Sequence, residues 1–150
     1  MVDLFSKLRK INILLIDDDE WIRHSMGIFF EFEGCHLDAL ETAEEGLEAL
    51  KRKDYGVIIV DYRLPGMDGL EFLKLITESI PHAIKILITA YGSKDIVAKA
   101  HEVGVQDVIK KPFAIDSIEK SLWRLLNERE EKKSKPDDKH LDKKKMKDGN

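Results

Sequence analysis

Apolar residues gather in runs of strand length at Ile11 to Ile16, Val57 to Val60 and Ile84 to Ile88, with shorter ones near His36 to Leu40 and at Val108 to Ile109. Runs of this kind, rather than a polar–apolar alternation, predict strands covered on both faces. Between them the apolar positions recur at helical spacing. Thr42 with Glu45 and Asp68 with Glu71 fit a capping-box start, and Ser93 is placed to cap a helix through Glu102. The final helix carries Ile115, Ile118, Leu122 and Leu125 on one stripe, which predicts contact with the sheet. Gly34, Gly56 and Gly104 mark the returns from helix to strand.

Five repeats of strand then helix require a parallel sheet wrapped on both sides, because parallel neighbours need a crossover and the crossover is right-handed. The expected fold is α/β, a flavodoxin-like (βα)5 doubly wound sheet of five strands in the order 2-1-3-4-5. Residues 1–9 are expected as an N-terminal extension, 10–127 as the folded domain and 128–150 as a charged, disordered tail. Beyond Asn127 the periodicity dissolves into Glu-Arg-Glu-Glu-Lys-Lys and a Lys/Asp mixture with Pro136, which offers no apolar stripe to bury and reads as a frayed helix end and a tail.

Composition narrows the picture. A chain of 150 residues holds one domain and short extensions, and 43 % hydrophobic residues suffice for a core. No apolar run approaches the roughly 20 residues of a membrane helix, and Met1 to Lys10 has no signal-peptide core, so a cytoplasmic protein without membrane contact is expected. Cys35 is the only cysteine, which excludes an internal disulfide and a zinc site built on thiolates; it reads as a small apolar residue opening a strand. The net charge of −4 is uneven. Glu131 to Asn150 holds eight Lys against five acids, leaving −7 on the first 130 residues, which argues against nucleic acid as a ligand.

In an open parallel sheet, ligands bind beyond the carboxyl ends of the strands near the point where strand order reverses. Those ends read Ile16-Asp17-Asp18-Asp19, Val60-Asp61, Ile88-Thr89-Ala90 and Ile109-Lys110-Lys111-Pro112. Carboxylates brought together there repel unless a divalent cation compensates, and an oxygen-only donor set suits Mg²⁺. Two carboxylates and one backbone carbonyl, which Arg63 is placed to supply, would hold it. Asp61, facing the metal, the Thr89 hydroxyl and the Lys111 ammonium, is equipped to receive a phosphoryl group. Ala90 leaves room beside it for a donor or water.

The segments Ile13-Leu14-Leu15-Ile16-Asp17-Asp18-Asp19, Val57 to Gly69 (VIIVDYRLPGMDG), Leu87-Ile88-Thr89-Ala90 and Lys111-Pro112-Phe113 resemble the receiver domain of two-component response regulators over roughly residues 10 to 127. The resemblance implies that Asp61 takes phosphate from a sensor histidine kinase or phosphotransfer protein. It also implies that Asp17, Asp18, Asp61 and the Arg63 carbonyl hold Mg²⁺, while Lys111 and Thr89 contact the phosphoryl group. It implies a phosphoacceptor signalling domain rather than an enzyme, one that assists its own phosphorylation and dephosphorylation. Output would pass to a protein target through the fourth helix, fifth strand and fifth helix, from a monomer or weak dimer. Two features depart from the pattern. Val108 stands where an aromatic residue often reports phosphorylation, and about twenty charged residues after the domain cannot build a helix-turn-helix unit, so the chain resembles a stand-alone regulator.

Rival readings are weaker. Asp17-x-Asp19 after a strand superficially fits a phosphatase of the haloacid dehalogenase type, but Trp21 stands where that motif expects Thr or Val. A degenerate binding module would lack an acidic ligand, the Thr or the Lys, and all are present. Asp19 reads as a helix cap. Trp21, Ile28 and Phe32 form a second stripe on the first of the long helices, expected to be core or half-buried, with docking of a kinase or phosphotransfer helix as the alternative. Trp123, off the Ile118 and Leu122 stripe, is likewise expected to pack, with an exposed dimer or target contact as the alternative. The five histidines show no metal-ligand spacing, and the Lys-rich tail reads as a solvated extension.

Overall fold

The computed structural model describes residues 3–134. A short helix α1 (Leu4–Leu8) leads into β1 (Asn12–Ile16), and the chain then alternates through α2 (Glu20–Phe32), β2 (His36–Leu40), α3 (Ala43–Arg52), β3 (Val57–Asp61), α4 (Gly69–Thr77), β4 (Ile84–Thr89), α5 (Lys94–Glu102), β5 (Asp107–Lys110) and α6 (Ile115–Ser134). The strands form one parallel sheet in the order β2-β1-β3-β4-β5, as the alternation requires.

Each face of the sheet builds its own core. Ile13, Leu15, Val57, Ile59, Ile86 and Ile88 point to one side, where they meet Met26 and Phe30 of α2 and Ile118, Leu122 and Leu125 of α6. Their neighbours Leu14, Ile16, Ile58, Val60 and Leu87 face the other side and pack with Phe72, Leu73 and Ile76 of α4 and Ala100 of α5. Successive strand residues thus serve opposite layers, which is why the runs are apolar throughout. Burying each of these side chains contributes about 1.5–3 kcal/mol before conformational entropy is set against it.

The helix starts form as their residues dictate. Thr42 Oγ1 accepts from the Glu45 backbone N–H and donates to the Glu45 carboxylate, both at 3.1 Å, so the cap is held by the hydroxyl alone. Asp68 accepts from the Glu71 N–H at 2.9 Å and Ser93 from the Ile96 N–H at 3.3 Å. Asp19 caps α2 by accepting from the N–H groups of Trp21 and Ile22. Cys35 is buried just before β2.

Three expectations change. The N-terminal extension contains α1, capped by Asp3 and buried through Leu4 and Leu8. Two apolar residues four apart are too brief a stripe to announce a helix from sequence. Helix α6 continues past Asn127 to Ser134, where only a frayed end is expected, and Lys7 of α1 reaches Glu130 at 2.8 Å and Asn127 at 3.2 Å. This is a polar tie that apolar periodicity does not register. The rest of the expected tail, residues 135–150 with His140, lies outside the described residues. The Trp21, Ile28 and Phe32 stripe is neither core nor half-buried: these residues are 74 %, 55 % and 87 % exposed. Helix α2 presents only one face to the sheet, filled by Met26 and Phe30 with Ile22 and Phe29 beside them, and no described element covers the other face. Trp123, in contrast, is partly buried under the Lys7 ammonium, 5.2 Å from its ring centre.

Candidate functional site

At the carboxyl ends of β1, β3, β4 and β5 the ladder continues past the strands and pins the residues that follow. The Asp17 N–H donates to the Leu40 carbonyl, the Tyr62 N–H to Ile88 and the Lys111 N–H to Thr89, all within 3.0 Å. Asp17, Asp18 and Asp61 thereby meet, each offering a carboxylate oxygen within 4.8 Å of the others. Asp17 is fully buried and Asp61 nearly so, whereas Asp18 is exposed.

Lys111 crosses this cluster. Its Nζ lies 3.0 Å from Asp17 Oδ2 and donates to Asp61 Oδ2 at 3.1 Å. The contact with Asp17 has ion-pair distance but not the alignment of a hydrogen bond, so Asp17 Oδ2 is a buried oxygen without a directed donor. The other oxygen of Asp17 accepts from the Asp19 N–H at 2.9 Å. Burial raises the Asp61 carboxyl to a pKa of about 6; Asp17 pushes the same way, Lys111 opposes, and Asp18 adds a smaller push. Burial by itself would lower the Lys111 ammonium, but the two aspartates outweigh it and hold its pKa above the ordinary value.

Thr89 is buried at the end of β4, and its hydroxyl accepts from the Tyr91 N–H at 2.8 Å and donates to the Tyr91 carbonyl at 3.2 Å. Ala90 beside it is exposed. Arg63, exposed in the β3–α4 loop, lays its guanidinium 4.3 Å from the ring centre of Tyr91 in the β4–α5 loop. The Lys111–Pro112 bond is cis.

The donor set suits a hard cation. It offers oxygen only, and the unaligned Asp17 oxygen is the kind of buried group that a metal satisfies. The same details count against a dehalogenase-type phosphatase. Asp17 is enclosed and held by Asp19 and Lys111, and Asp19 is committed to capping α2.

Residues 13–122 match the family model of the response regulator receiver domain. The chain belongs to that family. It is 34 % identical over 126 residues to the DNA-binding transcriptional regulator NtrC of Proteus hauseri, covering 84 % of this chain and 27 % of that one. The first relatives matched are all much longer, and this chain spans only 26 % to 32 % of their length. Among solved structures, a CheY-like receiver domain protein from Methanospirillum hungatei is 30 % identical with a TM-score of 0.76, over 81 % of this chain and 98 % of that one. The beryllofluoride-activated NtrC4 receiver domain dimer is 32 % identical with a TM-score of 0.72, over 78 % and 97 %. The fold and family expected from the strand-end motifs are therefore those found. No helix among the described residues is long and apolar enough to cross a membrane.

Four supports of this receiver site were not anticipated. A Cβ on Gly69 would stand 2.2 Å from the Asp61 carbonyl oxygen, so only glycine lets α4 start against the end of β3. Gly66 takes φ +77°, and Glu44 of α3 accepts from the neighbouring Met67 N–H at 2.9 Å, fixing the β3–α4 loop. Arg23 donates to the Asp17 carbonyl at 2.9 Å from one turn inside α2. Arg23 lies six residues beyond Asp17, a spacing that announces no contact, and nothing in the sequence pairs Glu44 with Met67.

Proposed function

We propose that this receiver takes a phosphoryl group on Asp61 from the phosphohistidine of a sensor histidine kinase or phosphotransfer protein. The observation that carries the reading is the Lys111 ammonium set between the Asp17 and Asp61 carboxylates at 3.0 and 3.1 Å, within the three-aspartate cluster. An Asp61 oxygen attacks phosphorus as the P–N bond to imidazole breaks, leaving an acyl phosphate and an imidazole that takes a proton from solvent. With a pKa of about 6 the acceptor is mainly ionised at neutral pH.

Asp17, Asp18, Asp61 and the Arg63 carbonyl would hold Mg²⁺, which when bound offsets negative charge on the phosphoryl oxygens. Lys111 is close enough to transfer its contact from the Asp61 carboxylate to a phosphoryl oxygen carried there. Thr89 supplies a hydroxyl that reaches the same group once it leaves Tyr91, and the change at the β4 end spreads to α5, β5 and α6, the face offered to a protein target. The exposed Ala90 admits the water that ends the signal by hydrolysis. Residues 10–127 carry this activity. A cytoplasmic location and a monomer or weak dimer complete the reading.

Incubation with acetyl phosphate tests it. A phosphate-sized mass gain is expected with Mg²⁺, and none with EDTA or in Asp61→Asn; a gain that persists in Asp61→Asn moves the acceptor elsewhere. Lys111→Ala should still bind Mg²⁺ yet respond weakly in conformation when phosphorylated, and an undiminished response would remove Lys111 from the switch.

A further inference from the structure

Each of the two loops that follow the acceptor strand and the Thr89 strand carries a side chain that meets the other. Arg63 follows Asp61 by two residues, and Tyr91 follows Thr89 by two. Their stack, 4.3 Å from guanidinium carbon to ring centre, bridges the β3–α4 and β4–α5 loops. Tyr91 is 48 % exposed, so burial alone does not fix its ring. Its backbone in turn engages the Thr89 hydroxyl twice, through one accepted and one donated hydrogen bond. Val108, half-buried on β5, offers no ring that could serve instead.

We infer that Arg63 and Tyr91 are a positioning pair which, by holding the 89–91 turn closed, keeps the Thr89 hydroxyl on the Tyr91 backbone and away from the phosphoryl position. The inference rests on the function proposed above. Opening the turn requires the stack to slide or part, so the pair opposes activation and does the reporting that an aromatic residue at position 108 would otherwise do. An exposed cation–π contact favours one arrangement by a factor of roughly two to five, enough to bias a switch without locking it.

The test is a double-mutant cycle on the full chain with Mg²⁺ and beryllofluoride, a phosphoryl mimic, using NMR to follow both the apparent affinity and the Thr89 and Tyr91 amide signals. Arg63→Ala and Tyr91→Ala should each tighten apparent beryllofluoride affinity by about two- to fivefold and move the beryllofluoride-free Thr89 amide signal toward its activated position. The double variant should do no more than either alone. Tyr91→Phe, which keeps the ring, should behave as the parent chain. Unchanged affinity and amide signals in both alanine variants, or additive effects in the double variant, would overturn the positioning role while leaving Asp61 as acceptor. A parent chain that binds no beryllofluoride and gains no phosphate would overturn the proposed function and the inference with it.

Discussion

Lys111 and Lys85 are both drawn in from solvent, one beyond the carboxyl end of the sheet and one near its amino end, and their surroundings differ sharply. Lys111 stands between two carboxylates that hold its pKa above the usual lysine value. Lys85, in β4, is 3 % exposed, and among the described residues its ammonium meets only the Ala83 carbonyl at 3.3 Å, with no carboxylate at ion-pair distance; burial lowers its pKa. A groove of about 1100 Å³ near that amino end, along Leu47, Leu50, Leu75 and Ile80, contains none of the acidic cluster. The amino end tolerates one ammonium as an isolated cost. The carboxyl end assembles three carboxylates around one ammonium and remains negative, which is an arrangement that stability alone does not favour.

The largest break in this comparison comes from closing the gap that forms the carboxyl end. Gly69→Ala places a carbon against the Asp61 carbonyl, and we expect a loss of about 3 kcal/mol in urea unfolding, since backbone rather than a flexible side chain must yield.

Next comes Asp61→Asn, expected to make the Mg²⁺-free fold about 1–3 kcal/mol more stable at pH 7. Because the folded pKa of about 6 lies above the ordinary 3.8, the folded state holds this proton more tightly. The stabilisation from that proton is complete below about pH 4 and is lost as pH rises through 6. The parent chain should therefore weaken across that window and the variant should not, as stability measured against pH in EDTA will show. Saturating Mg²⁺ should recover the lost stability only in the parent.

Lys85→Met sharpens the contrast at the other end. It should stabilise the fold by about 1 kcal/mol at pH 7. A lysine whose folded pKa is lowered binds its proton less well folded than unfolded, so the parent should gain stability as pH rises through the folded pKa toward 10.5, and the methionine variant should lack that rise. The smallest effect is expected for Trp21→Ala, within about 0.5 kcal/mol, because the ring lies in solvent.

These ends were not equally legible in the sequence. The carboxyl end was, because its aspartates, Thr89 and Lys111 each close an apolar strand and parallel topology brings all strand ends to one edge. The supports were harder to see. Glu44 and Gly69 act through contacts between elements, and the Arg63–Tyr91 stack joins residues 28 positions apart, across two loops whose geometry no periodicity encodes. Lys85 interrupts an apolar run without announcing whether it points into a core or out of it. Helix α1 escaped notice, and the last turns of α6 read only as a frayed end, for a related reason: polar contacts join the two. The α2 stripe misled because apolar spacing marks a face and does not say whether anything covers it.

Two buried carboxylates flank Lys111, and the central claim is that Asp61, not Asp17, is the one phosphorylated. Treating the chain with acetyl phosphate and Mg²⁺, reducing the acyl phosphate with borohydride and mapping the altered residue by peptide mass addresses it directly. The account predicts the modification at Asp61 alone; modification at Asp17 or Asp18, or at no aspartate despite a phosphate-sized mass gain, would contradict it.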